Sequence, residues 1–359
     1  MRKVRKFIFE LTDGMIISDD IATSTGQLIL PKGYILDSAG IDKLSTYGIM
    51  DLFVDEEDEA PKRLSPSPET TYSERIKSTP EFHEFKELYL DNVEDLSSNI
   101  NDIVQKNQPI NTEELLSTTA SLLKNARGSI HLFDMLHNMR EFDDSTFTHC
   151  INVSLISAVL GGWLGLPKED IDVLSLCGLL HDIGKLTTPE SILTKPGKLT
   201  PEEYSIMKDH VKGGYEHLRN QQIDNRIKEA CLLHHERCDG TGYPFGLKGN
   251  KIPDFAKIVS IADVYDAMTA KRVYRGPLCP FTVIKMFEDE GLYRYDPRFI
   301  LTFLENVVAT YINNTVLLSD GREGEVVLIN QLTLSKPIVR CGGTFVDLSK
   351  TDLTITAIL

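Results

Sequence analysis

Five of the nine histidines in this 359-residue chain fall into one ordered series with aspartates. His149 comes first, then His181-Asp182-Ile183-Gly184-Lys185, His210, His234-His235 and finally Asp263. Imidazole nitrogen and carboxylate oxygen together suit hard-to-borderline metals such as iron, manganese or zinc. The seven donors exceed what one ion usually takes from protein, so the set reads as a two-metal hydrolytic site.

Taken singly, each residue has a plainer explanation. A lone His149 or His210 is more often a satisfied structural residue. The His181-Asp182 pair could simply be hydrogen-bonded at a helix end, and His234-His235 could be surface polarity. Asp263 could bond to backbone within the apolar run Ile258 to Ala262. All of these explanations would have to hold at once in one helical domain, which favours the metal reading. His83, His131, His137 and His217 lack such context and read as ordinary helix or surface residues.

The elements that must position the donors are helical. His149 opens an apolar helix, Ile151 to Leu164. A helix from Ile171 to Leu180 delivers His181 and Asp182 at its C-terminal end, where Gly184 stops it. Thr200-Pro201-Glu202-Glu203 is a helix start with a capping Thr, Pro at the first position and a Glu reaching back. It predicts a helix over 201–219 that carries His210. His234-His235 end a helix beginning near Arg226. An ionised Asp263 inside a buried helix would be costly without a metal or cation beside it.

Length predicts two or three domains. Residues 1–55 read as a small α/β or β-rich unit, with a strand, turn and strand restart around Gly26 to Gly33, a short helix over 38–48 and a strand over 50–54. Residues 56–80, acidic and then rich in Pro, predict a linker. A helical connector covers 81–129 and could supply a homodimer face. The main helical domain spans 130–312. Short strands at 316–318, 325–329, 337–340, 344–346 and 353–358 make 313–359 a small β-rich unit. The fold class is therefore mainly α, a helical bundle with a small N-terminal α/β unit and a small C-terminal β appendage.

A hydrophobic content of 41% and a charged content of 25% are those of a soluble globular protein. The formal charge of −15 argues against a general DNA or RNA binder. It leaves room for a phosphorylated small substrate in a pocket made positive by metals and a few placed cations. The six scattered cysteines read as reduced core thiols. The apolar run Phe7-Ile8-Phe9, interrupted at once by Glu10, is too short for the apolar region of a signal peptide, and no apolar stretch approaches the roughly 20 residues needed to cross a bilayer. A cytoplasmic protein without a membrane partner is expected.

The donor series, together with His234-His235-Glu236-Arg237-Cys238-Asp239-Gly240-Thr241-Gly242-Tyr243-Pro244 and Arg272-Val273-Tyr274-Arg275, resembles an HD-GYP domain over about residues 130–312. HD-GYP domains are a subgroup of the HD metal-dependent phosphohydrolases. The segments flanking residues 130–312 resemble, more weakly, those that often accompany HD-GYP domains. The resemblance implies an HD-type helical bundle that hydrolyses cyclic di-GMP, a bacterial second messenger, to pGpG and on to GMP in some cases. It places metal ligands at the seven donor positions, with Asp182 bridging two divalent cations that activate a water for in-line attack on phosphorus. Lys185 would neutralise a phosphoryl oxygen as charge builds. Gly240 and Gly242 allow close approach of backbone to ligand. Tyr243 could bond a phosphate or pack on a guanine, and Arg272 and Arg275 could clamp the second phosphate.

Three-metal relatives use a Glu four residues before the first His, where this chain has Ser145, so two metals are expected. A donor set without thiolate favours iron or manganese over zinc. Two other functions compete. One is an HD phosphohydrolase acting on a nucleotide or on another cyclic dinucleotide such as cyclic GMP-AMP. The other is a catalytically inactive signalling module that binds nucleotide or a protein partner.

Overall fold

The computed structural model describes residues 2–8, 11–22, 28–37, 40–41, 44, 49, 51–56, 72–126, 128–139, 145–270 and 278–359. They belong to two units, Met1–Glu69 and Thr70–Leu359.

The first unit is built on three antiparallel strands, β1 (Arg2–Phe7), β2 (Ile16–Ile17) and β5 (Asp51–Glu56), in the order β1-β5-β2. β1 and β5 pair from Arg2 opposite Glu56 to Phe7 opposite Asp51. A two-stranded ribbon of β3 (Ile21–Ala22) and β4 (Leu28–Leu30) completes the strands. Leu11, Ile17, Leu30, Leu36, Leu44, Leu52 and Val54 form its apolar core. The short helix expected over 38–48 falls largely outside the described residues, as does most of the expected linker.

In the second unit, several helix starts follow side chains that satisfy the free N–H groups of the first turn. The first helices are α1 (Tyr72–Lys77), α2 (Pro80–Lys106), α3 (Thr112–Asn125) and α4 (Ser129–Met139). Thr79 accepts from the Phe82 N–H ahead of α2 at 3.2 Å, and Asn111 accepts from Glu114 ahead of α3 at 3.3 Å. α1 lies within the stretch whose composition suggested a linker. The apolar face of α2, including Phe82, Phe85, Tyr89, Leu96 and Ile100, is buried in the chain's own core.

The central helix is α5 (Thr146–Trp163), started by Ser145, whose hydroxyl accepts from Thr148 N–H at 3.1 Å. It is buried on nearly every side, as expected of a helix apolar all round. α6 (Lys168–Leu180) packs on it backbone to backbone. A Cβ on Gly178 would lie 2.4 Å from Ser154 Cα, so only glycine permits this approach.

A 3₁₀ turn (Ile183–Thr187) follows, then α7 (Glu190–Leu193), α8 (Pro201–Lys208), α9 (His210–Leu218), α10 (Asn225–Leu233) and α11 (Asp254–Thr269). The Thr200–Glu203 box closes in both directions, with Glu203 N–H bonding to Thr200 Oγ1 at 3.2 Å and Thr200 N–H to Glu203 Oε2 at 2.7 Å. The helix expected over 201–219 is interrupted: α8 ends at Lys208, and α9 restarts at His210 in a tight turn where Asp209 N–H bonds to Ile206 O.

After α12 (Pro280–Met286), a π turn at Phe287–Gly291 and α13 (Leu292–Arg294), helix α14 (Pro297–Ala309) leads into an antiparallel sheet. Its strands are β6 (Thr315–Leu318), β7 (Glu323–Leu328), β8 (Ile338–Cys341), β9 (Thr344–Asp347) and β10 (Ile355–Ile358), in the order β10-β6-β7-β8-β9. Val316, Leu318, Val326, Val339 and Cys341 point from this sheet into the same apolar core as the helices. The chain is thus mainly helical, with small strands at the N-terminus and a C-terminal antiparallel sheet. Among the described residues no helix is long and apolar enough to cross a membrane.

Candidate metal centre

Each donor sits at a helix end or on an inward helix face, and the five elements α5, α6, α9, α10 and α11 bring them to one point. His181 caps the C-terminus of α6 with its ring buried. The backbone then leaves helical geometry and turns Asp182 toward the same interior. The 3₁₀ turn that follows is pressed against the start of α9, and α9 in turn against α10. A Cβ on Gly214 would lie 2.6 Å from Cys231 Sγ. His234 ends α10 and is wholly buried; His235 follows it. Asp263 projects from the middle of α11.

The imidazoles are oriented by backbone. His181 Nδ1 donates to Gly178 O at 2.7 Å, His210 Nδ1 to Met207 O at 2.6 Å, and His234 Nδ1 to Cys231 O at 3.0 Å. That fixes the proton on Nδ1 and leaves each Nε2 lone pair facing inward. Asp182 stands between them. Its Oδ1 is 3.3 Å from His210 Nε2 and 3.8 Å from His234 Nε2, while its Oδ2 is 3.2 Å from His181 Nε2 and 3.6 Å from His149 Nε2.

Two groups of ligand atoms result, His149/His181/Asp182 and Asp182/His210/His234/His235, each within 4.8 Å of one another. Asp182 belongs to both. Asp263 touches one member of each, with Oδ1 3.1 Å from His149 Nε2 and Oδ2 3.8 Å from His235 Nδ1.

These residues fit metal ions on grounds of unmet bonding. Asp182 Oδ1 and the Nε2 atoms of His181, His210 and His234 are buried without a hydrogen-bond partner. Buried polar atoms in folded proteins are nearly always paired, so Asp182 Oδ1 and three imidazole nitrogens left open at one place point to a ligand. The donor set is nitrogen and oxygen, with no thiolate in either group.

The protonation states also suit ligation. Burial first, then the neighbouring His181, hold His234 down at about 3, so its ring is neutral at ordinary pH. Burial and the neighbouring His234 push His235 down as well. Burial alone would raise the carboxyls, but His181 and Lys185 hold Asp182 well below the usual range, and the neighbouring imidazoles of His149 and His235 do the same for Asp263. Lys185 is ion-paired to Asp182 from the next turn.

The glycine-rich turn packs back against the histidine pair. A Cβ on Gly242 would lie 2.4 Å from Arg237 N and 2.5 Å from His235 O, so the chain doubles back only because position 242 is glycine. Tyr243 N–H bonds to His235 O at 3.2 Å, and its ring stacks on His235 with centroids 4.6 Å apart. Arg272 and Arg275 lie outside the described residues.

Several supporting residues carried no assigned role in the sequence. Buried Glu236 accepts N–H bonds from Phe245 at 2.7 Å and Leu247 at 2.8 Å, which holds the turn closed. Arg237 donates to His234 O at 3.0 Å and Ser260 Oγ at 2.6 Å, tying α10 to α11. Asp266 accepts from His149 Nδ1 at 2.7 Å. Its three-residue spacing from Asp263 puts both on one helix face, the only signal that could have marked it. Lys208 lies over two rings at the rim, its ammonium 5.2 Å from the centroid of Tyr204 and 6.0 Å from that of Tyr243.

Residues 109–299, just over half the chain, match the family described as "HD domain". Among curated relatives, the chain is 34% identical over 224 residues to cyclic di-GMP phosphodiesterase PA4108 of Pseudomonas aeruginosa, covering 62% of this chain and 53% of that protein. It is 42% identical over 137 residues to the cyclic di-GMP phosphodiesterase response regulator RpfG of Xanthomonas campestris pv. campestris, covering 37% of this chain and 36% of that one. It is also 36% identical over 163 residues to 3'3'-cGAMP-specific phosphodiesterase 2 of Vibrio cholerae, covering 45% of this chain and 31% of that one. The chain thus spans about half the length of the first relative and about a third of the other two. With the HD pair and the GYP turn facing one buried donor cluster, the chain belongs to the HD domain family, as a member of its HD-GYP subgroup.

Proposed function

We propose that this chain is a metal-dependent phosphodiesterase that hydrolyses cyclic di-GMP to linear pGpG, with further cleavage to GMP as a second step to be tested. The observation that carries the reading is Asp182, a buried carboxylate that belongs to both histidine groups and has no hydrogen-bond partner for its Oδ1, while its Oδ2 is ion-paired to Lys185. Two divalent cations, iron or manganese, would be held by His149, His181, Asp182, His210, His234, His235 and Asp263, with Asp182 the member common to both groups. When bound, such a pair supplies an activated water and neutralises phosphoryl charge.

The remaining work falls to side chains at the opening. Lys185, a fifth exposed, is placed beside Asp182 to receive a phosphoryl oxygen as charge grows on it. Tyr243 is stacked on His235, and burial raises its pKa, so its hydroxyl stays a donor at every physiological pH. Lys208 adds a cation on the Tyr204 side, suited to an anionic nucleotide. In this reading Arg272 and Arg275 clamp the second phosphate. The substrate is a cyclic dinucleotide and not DNA or RNA, consistent with a chain of net charge −15.

One specific observation supports a second substrate, cyclic GMP-AMP: the Vibrio cholerae relative is named for it at 36% identity. The deciding experiment is anaerobic purification with metal analysis, followed by hydrolysis of cyclic di-GMP and 3'3'-cyclic GMP-AMP in parallel. About two equivalents of iron or manganese and faster release of pGpG are expected. Faster cleavage of cyclic GMP-AMP would reassign the substrate. A metal-loaded chain that cleaves neither would reject the enzyme and leave a binding module.

A further inference from the structure

Behind His149 runs a chain of buried hydrogen bonds that leaves the metal centre and ends on α2. Asp266 Oδ2 accepts from His149 Nδ1 at 2.7 Å, and Asp266 Oδ1 accepts from Asn152 Nδ2 at 2.9 Å. Asn152 Oδ1 in turn accepts from the Tyr89 hydroxyl at 2.6 Å. Tyr89 is fully buried; Asn152 and Asp266 are nearly so.

The direction of every bond follows from the groups themselves. An ionised carboxylate only accepts, so Asn152 must turn its NH₂ toward Asp266 and its oxygen toward Tyr89. The Tyr89 hydroxyl must then donate. With Asp266 held at both oxygens, the His149 proton is kept on Nδ1. Nε2 is left to face Asp263 at 3.1 Å and Asp182 at 3.6 Å.

The Tyr89 hydroxyl also lies 3.3 Å from Thr148 O, but its shorter bond, at 2.6 Å, is to Asn152. A phenylalanine would fill the same volume at position 89 beside Phe85, whose ring centroid is 5.9 Å away. A buried hydroxyl is retained at a cost unless its bond does something. Moreover α2 lies outside residues 109–299, the stretch that matches the family, so this link is supplied by the chain's own flanking helix.

We infer that Tyr89 and Asn152 are positioning residues for the metal centre. Acting through Asp266, they fix the tautomer and aim of His149, and so set the affinity of the metal position that His149 serves. The inference rests on the metal-dependent reading above but not on the identity of the substrate. Carboxylate partners behind metal-bound histidines raise ligand basicity and lock ring orientation, and their loss commonly weakens binding about 10- to 100-fold. Tyr89 stands two bonds further back, so its share is smaller.

The test is a titration of the full-length, metal-stripped chain with Mn²⁺ alone, followed by calorimetry, together with the thermal midpoint of the metal-free protein. Wild type is expected to show two binding events. Tyr89→Phe should weaken one of them about 3-fold and Asn152→Leu the same one about 10-fold. The other event and the metal-free Tm of Tyr89→Phe should remain as in wild type. Unchanged affinities in Tyr89→Phe would overturn the inference, as would a uniform weakening of both events accompanied by a lowered metal-free Tm, which is the mark of a purely structural role. A wild-type chain that takes up no Mn²⁺ would reject the metal centre itself, a different failure from an unaltered Tyr89→Phe.

Discussion

Gly184 lies directly against the backbone of His210: a Cβ placed on it would fall 2.0 Å from the His210 carbonyl oxygen. The glycine after the HD pair is therefore what lets the turn carrying Asp182 meet the start of α9. Gly184→Ala should push α9 away and misplace the His210 ring relative to Asp182. The expected result is a loss of about 1–3 kcal/mol of stability and reduced metal content, measured by thermal unfolding and elemental analysis. An alanine variant with wild-type Tm and metal stoichiometry would show that α9 can shift without cost.

Asp182 and Lys185 form an ion pair, yet their proposed roles separate under mutation. Asp182→Ala should lose bound metal and all hydrolysis while circular dichroism remains that of a folded helical protein. Lys185→Ala should keep its metal and lose about 100-fold in kcat, the usual cost of removing one group that stabilises developing charge. Full turnover in a metal-loaded Lys185→Ala enzyme would remove Lys185 from the chemistry.

Lys208 makes no ion pair among the described residues and sits over the rings of Tyr204 and Tyr243. If it recognises an anionic nucleotide at the rim, Lys208→Ala should raise KM about 5-fold with little effect on kcat. The salt dependence of kcat/KM should flatten at the same time, because one screened attraction is gone. A kcat defect with unaltered KM would place the residue elsewhere in the cycle.

On α11, six residues before Asp263, Lys257 is nearly buried and bonds Asp296 at 3.0 Å and Asp254 at 3.1 Å. The hydrogen bond from Arg298, against the opposing effect of burial and with help from Lys257, holds the Asp296 carboxyl well below its ordinary value. A carboxyl depressed in the folded state adds stability above its unfolded pKa of about 4, and that stability is lost as pH falls through the folded value. Asp296→Asn keeps the oxygen that caps α14 but removes the charge. It should cost about 2 kcal/mol at pH 7. The gap to wild type in Tm should close progressively below about pH 4. A gap that persisted at low pH would point to packing and not to charge.

The sequence by itself determined which residue types gather and roughly on what. His181-Asp182 at a helix end, the Thr200–Glu203 start and the glycine turn after His234-His235 are local signals, written within a few consecutive residues. The capping box and the short C-terminal strands are local in the same way. Only the tertiary structure decided what depends on contacts between distant segments. The break at Asp209 comes from the turn that seats His210 over Gly184, an event helical periodicity cannot register. The contribution of the C-terminal sheet to the helical core, the burial of the α2 face and the run from His149 through Asp266 and Asn152 to Tyr89 likewise join residues tens of positions apart. Spacing along a chain encodes helix faces and turns; which faces meet is set by the close packing of the whole core.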